Sequence, residues 1–344
     1  MRGGLSVLIA LAGLLSPLAS DVTSQTPEPL TQVAAQQPFE EWLDAVIKEA
    51  AERGYGQDLI DQTLVGLEPL HRVVASDRTQ AELTITFDRY YNNLVTPVLV
   101  SRGRSRAHEE RELLDRVEST FGVQRRVVLA IWGIESRFGG NTGRTPIFRA
   151  LATLAWEPRR ADFFRRQLFD ALTMVSRGHI EAEAMTGSWA GAMGQPQFMP
   201  SSYLAYAVDF DADGRRDIWK STPDVLASIA NYLKSNGWDG ERTWGREVAV
   251  PPAARSRIHE AVPARTDGCY AMRDMTERRP LEEWQKLGVR RVDGGPLPEV
   301  EVDAGLVQTG SRFFLVYPNY DAILRYNCAH HYALSVGLFA EQLD

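Results

Sequence analysis

As far as Trp244 the chain is a succession of segments in which apolar residues recur every three or four positions, the spacing of an amphipathic helix. Phe39, Trp42, Leu43, Val46 and Ile47 form one such face, in a stretch from Phe39 to about Gly66 that Gly54 and Gly56 divide into separate helices. Another stretch carries Tyr90, Tyr91, Leu94 and Val98 and breaks near Pro97. His108 to Phe121 turns Leu113, Leu114 and Val117 inward and its acids outward. The stripe Val127, Val128, Ile131, Ile134 and Phe138 predicts a further helix, stopped by Gly139-Gly140, and two more follow at Phe148 to Leu154 and Phe163 to Val175. From residue 245 to about 316 the pattern changes to short apolar runs among many prolines and glycines. Phe313 to Val316 predicts a buried strand there, and Leu281 to Leu287 a helix. Helix returns from Tyr332 to Leu343. No internal repeat is evident. The pattern as a whole predicts a mainly α (α+β) protein with a small β-rich unit late in the chain.

Length and composition narrow this picture. The 344 residues suggest two or three structural units, and the apolar and charged fractions, 44% and 24%, are those of a protein with a real core. The net charge is -7 and the basic residues are scattered, so no basic block supports nucleic-acid binding. At the N-terminus, Met1-Arg2, the apolar run Leu5 to Leu15 and the small residues Ala19 and Ser20 read as an export signal over residues 1–20. An uncleaved anchor is the competing reading, but the run is short for a membrane span. No cysteine lies near it for a lipid anchor. Residues 21–37 are polar and contain proline, the composition of a flexible lead. Export makes a disulfide between the two cysteines, Cys269 and Cys328, reasonable; two free buried thiols are the alternative.

One residue breaks the apolar stripe. Glu135 lies one turn beyond Ile131 and so points along the apolar face. Desolvation disfavours a charged carboxyl in such surroundings. An acid that stays protonated near neutral pH is what scission of a glycosidic bond requires. The bland reading is a buried Glu paired with an Arg for structural reasons. Two other segments carry candidate chemistry. Gly187 to Ser202 is rich in small residues, which let a backbone approach a ligand closely. Its Ser188, Gln195 and Gln197 offer hydrogen bonds, and Trp189, Phe198 and Met199 offer flat apolar surface, a mixture that suits sugars. A packed helix–loop junction without a ligand is the alternative. Asp209, Asp211, Asp213 and Gly214, followed by Arg215 and Asp217, resemble the first half of an EF-hand calcium loop. Lys220 stands where the bidentate Glu belongs, and Asp224, further on, could close a longer loop; the alternative is a surface loop rich in Asx turns. The six His residues show no zinc spacing, and neither a phosphate-binding glycine loop nor a nucleophile elbow is present.

Taken in order, these motifs resemble the lytic murein transglycosylase B family of bacterial cell-wall enzymes, from about Phe39 to the end. The most specific parts are Ala130-Ile-Trp-Gly-Ile-Glu-Ser136, Leu151-Ala-Thr-Leu-Ala155 with Arg159-Arg160, Ser188-Trp-Ala-Gly-Ala-Met-Gly194, Gln197-Phe-Met-Pro-Ser-Ser202, Ser228-Ile-Ala-Asn-Tyr232 and Arg325-Tyr-Asn327 with Tyr332. The resemblance implies a lysozyme-like helical core over residues 107–243, an N-terminal helical domain over 38–106, a small inserted β-rich domain over 244–316, and a C-terminal segment, 317–344, that completes the groove. It implies Glu135 as the single catalytic acid/base. Ser188, Gln197, Tyr232, Tyr326, Asn327 and Tyr332 fall on positions lining a saccharide groove, and Arg159 and Arg160 on a pair near the glycan and its peptide stem. The metal set would be Asp209, Asp211, Asp213, Arg215 and Asp224, holding a structural Ca2+ that the chemistry does not need. Gln195-Pro196 departs from the family, where an aromatic and a Gly can stand, and so bears on one subsite. The implied reaction is cleavage of the β-1,4 bond between N-acetylmuramic acid and N-acetylglucosamine in periplasmic peptidoglycan, leaving 1,6-anhydro ends. The implied partners are peptidoglycan glycan strands, with cell-wall synthesis or divisome proteins not identifiable from sequence. A lysozyme-type hydrolase and a non-catalytic peptidoglycan-binding protein are the rival readings.

Overall fold

Helices form where the apolar spacing places them. The structure is a computed structural model that describes residues 37–78 and 85–343; the expected signal and nearly all of the polar lead lie outside the described residues. In chain order come α1 (Phe39–Glu52), α2 (Gln57–Thr63), α3 (His71–Arg78), α4 (Phe87–Leu94), α5 (Pro97–Glu109), α6 (Arg111–Phe121) and α7 (Arg125–Ser136). Then follow β1 (Thr145–Pro146), α8 (Ile147–Trp156), α9 (Ala161–Ser176), β2 (Thr186–Gly187), α10 (Pro200–Tyr206) and α11 (Thr222–Ser235). The late unit holds β3 (Gly245–Ala249), α12 (Pro252–Ala261), α13 (Tyr270–Arg273), β4 (Arg279–Pro280), α14 (Leu281–Leu287), β5 (Arg290–Arg291), β6 (Asp303–Thr309) and β7 (Arg312–Val316). α15 (Pro318–Tyr326) and α16 (His330–Ala340) end the described chain. The fold is thus mainly helical with a small antiparallel sheet, as the pattern predicts.

Local chemistry explains several boundaries. Between α4 and α5, Thr96 accepts the Leu99 N–H at 3.2 Å and Pro97 occupies the first turn, so the break near Pro97 is a capped restart. Two expectations need correction. α7 ends at Ser136, before the glycines, because Arg137 and Phe138 both turn left-handed (φ 54° and 59°). Ser136 fixes this turn: its hydroxyl donates to the Trp132 carbonyl at 3.2 Å and accepts the Gly139 N–H at 3.0 Å. Phe138 therefore joins the core from outside the helix, edge-on to Trp132 with ring centroids 5.3 Å apart. The late unit is also less purely β than its sequence suggests, since α12 and α13 lie within it. Pro252 opens α12, and Ala254 and Ile258 bury its one apolar face.

Among the described residues, three apolar clusters organise the fold. One gathers α7, α11, α15 and α16; a second lies under α1, α8 and α9; the third sits between the sheet and helices α12 and α14. The sheet order is β4-β6-β7-β3-β5, and every pairing in it is antiparallel. β7 is the wall between two clusters. Side chains alternate across a strand, so Phe314 and Val316 enter the first cluster while Phe313 and Leu315 enter the third. That explains why Phe313 to Val316 reads as a continuous apolar run.

A disulfide joins Cys269, just before α13, to Cys328 in the α15–α16 turn. Next to it lies His330, whose Nδ1 is 3.0 Å from the Tyr320 hydroxyl. Its Nε2 is buried without a hydrogen bond, and Asp274 stands 4.0 Å away. Burial pushes the imidazole down to about 4, against a smaller upward pull from Asp274. The folded value lies below the unfolded one, so the unfolded chain binds more protons between them. Stability therefore rises with pH across that window and is lost as pH falls from about 6.5 to about 4, by about 3 kcal/mol. His330→Gln is expected to flatten the fall in Tm between pH 7 and pH 4.5. An unchanged slope in scanning calorimetry rejects this assignment.

Candidate active site

The first two residues of α7 are arginines; from Val127 to Gly133 every residue is buried. Gly133 is required by the packing: a Cβ there would lie 2.7 Å from Phe138 and 2.9 Å from Phe339. The missing side chain lets α16 cross α7 closely, and this places Tyr332 over the last turn of α7. The Tyr332 hydroxyl donates to Glu135 Oε1 at 2.6 Å. Glu135 itself is half-buried. Burial first, and the charge of Glu135 second, raise both Tyr332 and Tyr326 well above the ordinary phenol range. Both hydroxyls therefore remain protonated, and Tyr332 faces Glu135 as a neutral donor.

From Tyr332 a row of rings leads away. Tyr332 stacks on Tyr326 (6.4 Å, 18°), Tyr326 lies 4.6 Å from Tyr232, and Tyr232 lies 4.6 Å from Tyr206, with Phe198 against both Tyr232 and Tyr326. Tyr232 donates to the Arg325 carbonyl at 2.6 Å and Tyr326 to the Pro196 carbonyl at 2.7 Å. Glu135, Tyr332, Tyr326 and Tyr232, far apart in sequence, thus meet in one continuous set of contacts. Asn327 is half-buried at the C-terminal end of α15.

The small-residue segment forms a tight loop beside this row. Backbone bridges pair Gly187 with Met193 and Met193 with Phe198. Ser188 Oγ accepts the N–H groups of Ala190 (3.3 Å) and Ala192 (3.1 Å), so its oxygen holds the loop's own backbone. Gln197, at φ 51°, donates through Nε2 to the carbonyls of Thr142 (3.1 Å) and Gly194 (2.8 Å). Arg159 and Arg160 lie on a short 3-10 turn between α8 and α9, and the Arg160 guanidinium covers the Phe164 ring at 4.8 Å. Hollows of about 940 and 800 Å3 lie in the late unit and neither is lined by Glu135, so chemistry, not hollow size, singles out this site.

Gln195 is the residue whose role the sequence obscures. It is 8% exposed, and both ends of its amide bond inward: Oε1 accepts the Trp132 indole N–H at 2.7 Å and Nε2 donates to the Trp219 carbonyl at 2.9 Å. It is therefore a link between segments, not a hydrogen-bonding group offered to a ligand. Its position between two glycine- and proline-rich stretches gave no sign of Trp132 or Trp219 as partners.

The acidic loop forms a separate cluster. Asp209, Asp211 and Asp213 place one carboxylate oxygen each within 4.8 Å of one another. Ala212 and Gly214 supply the left-handed turns (φ 61° and 89°) that fold the chain around them. A hard cation that takes oxygen ligands fits this donor set. Arg215 contributes its backbone at the next position, with its N–H on Asp213 Oδ1 at 2.8 Å. Asp224 lies outside this group of three, although its carboxyl faces Asp211. It is fully buried in the first turn of α11, where Oδ1 accepts the Phe210 N–H and Oδ2 the Asp217 N–H, both at 2.7 Å. It closes the loop as a hydrogen-bonding staple, with each oxygen taking one backbone donor.

Comparison with known proteins gives a consistent result. The membrane-bound lytic murein transglycosylase B of Escherichia coli is 34% identical over 254 residues, which are 72% of this chain and 64% of that protein's length, just under two thirds of it. A crystal structure of SltB3 from Pseudomonas aeruginosa, in complex with NAG-anhNAM-pentapeptide, superposes with a TM-score of 0.80 at 40% identity and covers 89% of this chain and 80% of that one. Escherichia coli Slt35, in complex with calcium, superposes with a TM-score of 0.72 at 27% identity and covers 91% of this chain and 94% of that one. The profile of the transglycosylase SLT domain spans residues 38–341, nearly everything described above. With the resemblance read from its motifs, the α7 carboxylate under Tyr332 and this match from end to end in agreement, the chain belongs to the transglycosylase SLT domain family.

Proposed function

We propose that this chain is a peptidoglycan lytic transglycosylase that uses Glu135 as its only acid/base. The observation that carries the reading is the pair formed by Glu135 and Tyr332: a half-buried carboxyl with a neutral phenol donating to it at 2.6 Å. As acid, Glu135 protonates the oxygen leaving the N-acetylmuramic acid anomeric carbon, and the C1–O4 bond breaks. The substrate's 2-acetamido carbonyl stabilises the positive anomeric carbon. Glu135, now a carboxylate, accepts the Tyr332 hydrogen bond as its charge appears, which stabilises that charge without moving a proton. It then takes the proton from the C6 hydroxyl as O6 bonds to C1, closing the 1,6-anhydro ring. No water is consumed, which is why one carboxylate suffices where most glycosidases use two.

Tyr326 and Tyr206, the half-buried members of the aromatic row, would offer apolar surface to pyranose rings, with Ser188, Gln197 and Asn327 as the polar residues expected to line the same groove. Arg159 and Arg160 supply cationic charge for the carboxylates of a peptide stem. Support for a glycan with attached peptide comes from SltB3, which is also known in complex with NAG-NAM-pentapeptide. The setting is the bacterial periplasm. For the acidic loop we infer a structural calcium ion held by Asp209, Asp211, Asp213 and the Arg215 carbonyl, supported by the calcium complex of Slt35. The ion plays no part in the proton transfers.

Product mass tests the reaction. Digestion of purified sacculi is expected to release muropeptides lighter by one water than reducing-end products. Reducing ends would assign a hydrolase, and bound glycan with no release would assign a binding protein; either result rejects the proposal.

A further inference from the structure

We propose that Gln195 is a positioning residue for Glu135: its buried amide ties the helix that carries Glu135 to the limb of chain leaving the acidic loop. The inference rests on the reading of Glu135 as acid/base. Three contacts fix Gln195 on the loop side and the helix side together. Its backbone N–H donates to the Ile218 carbonyl at 2.9 Å, its Nε2 donates to the Trp219 carbonyl at 2.9 Å, and its Oε1 accepts from Trp132 at 2.7 Å. Trp132 precedes Glu135 by three residues, so this bond fixes the same turn of α7. The turn that ends α7 presses on the same amide: a Cβ at Gly139 (φ +79°) would lie 2.6 Å from Gln195 Oε1.

A second path reaches Glu135 through Tyr332. The Pro196 carbonyl accepts the Tyr326 hydroxyl at 2.7 Å, Tyr326 stacks on Tyr332, and Tyr332 donates to Glu135 at 2.6 Å. The dipeptide Gln195-Pro196 therefore touches, through Trp132, the turn of α7 that carries Glu135 and, through Tyr326, the phenol that donates to Glu135. Glutamine suits the place because one planar group must accept at one end and donate at the other, in a site too dry for water to substitute. A methionine of similar length fills the space and leaves the Trp132 N–H and Trp219 carbonyl unpaired. A glutamate keeps the acceptor and loses the donor.

The test compares wild type, Gln195→Met, Gln195→Glu, Trp132→Phe and the double variant Gln195→Met/Trp132→Phe. Release of products from sacculi gives kcat and KM, and binding of a glycan fragment is measured with Glu135→Gln added to each chain. Misplacing the donor is expected to lower kcat in Gln195→Met by about 10–100-fold. KM and fragment affinity are expected to change by less than about threefold. Trp132→Phe cuts the same link, so the double variant is expected to fall no further than the worse single one. An unchanged kcat in folded Gln195→Met overturns the proposal, as does an equal loss of kcat and fragment affinity. Multiplying losses in the double variant also overturn it. Should Gln195→Met fail to fold, Gln195→Glu and Trp132→Phe decide by the same split between kcat and affinity. Wild type that releases no product rejects the acid/base reading and this inference with it; active wild type with unaffected variants rejects the inference alone.

Discussion

Glu135→Gln is expected to fold as the wild type does and to release no soluble muropeptides from sacculi. Gln has the size and shape of Glu and cannot donate a proton of comparable acidity. Loss of one general acid–base step costs about 10²–10⁴-fold in rate. The proposed mechanism uses the same group twice, for the leaving oxygen and for the C6 hydroxyl, so the loss is expected at or beyond the upper end of that range. Structure is expected to survive because the Gln carbonyl still accepts the Tyr332 hydroxyl. Its Tm is expected to lie close to that of the wild type, because the Tyr332 hydrogen bond is kept. Turnover within tenfold of wild type, measured by muropeptide chromatography, would remove Glu135 from the mechanism.

The second large effect falls on stability. In Asp224→Ala, the N–H groups of Phe210 and Asp217 lose the oxygens that hold them at 2.7 Å, in a position with no exposed surface. An unsatisfied buried donor costs about 1–3 kcal/mol, so the pair is expected to cost about 2–6 kcal/mol, read as a lower midpoint in urea at constant m. Calcium separates this role from that of a ligand. A ligand that binds only the folded state stabilises by about 2.7 kcal/mol at a hundredfold excess over Kd. That gain is expected to persist in Asp224→Ala and to vanish in Asp211→Ala, whose carboxylate belongs to the cluster. Loss of the calcium gain in Asp224→Ala, with no intrinsic destabilisation, would make Asp224 a ligand after all.

The contrast between these two acids shows what a sequence carries. Glu135 was legible because it interrupts a strict apolar stripe, and periodicity needs only neighbours along the helix to be read. The same holds for Phe313 to Val316, whose continuous apolar run already announced two covered faces. Asp224 was read as closing a longer metal loop, and its two backbone N–H bonds were not legible because carboxylate spacing is the same for a metal loop and for a loop stapled by backbone N–H groups. Which one forms depends on where α11 starts, and Ser221 and Pro223 set that start. The end of α7 was misplaced for a related reason. Gly139-Gly140 is the stronger breaker, but Ser136 turns the chain first through a local hydroxyl bond. Gln195 was hardest to read, since its partners Trp132 and Trp219 are 63 and 24 residues away in sequence.

β7 has a wider effect. Its alternate side chains are rooted in two different interiors, so neither interior owns a complete boundary of its own. Peeling the late unit away would strip Phe314 from Phe87 and Trp244, and open the cluster that also holds Trp132, Phe339 and Tyr332. The late sheet is in this sense a wall shared by two interiors, and a single cooperative transition is the expected melting behaviour.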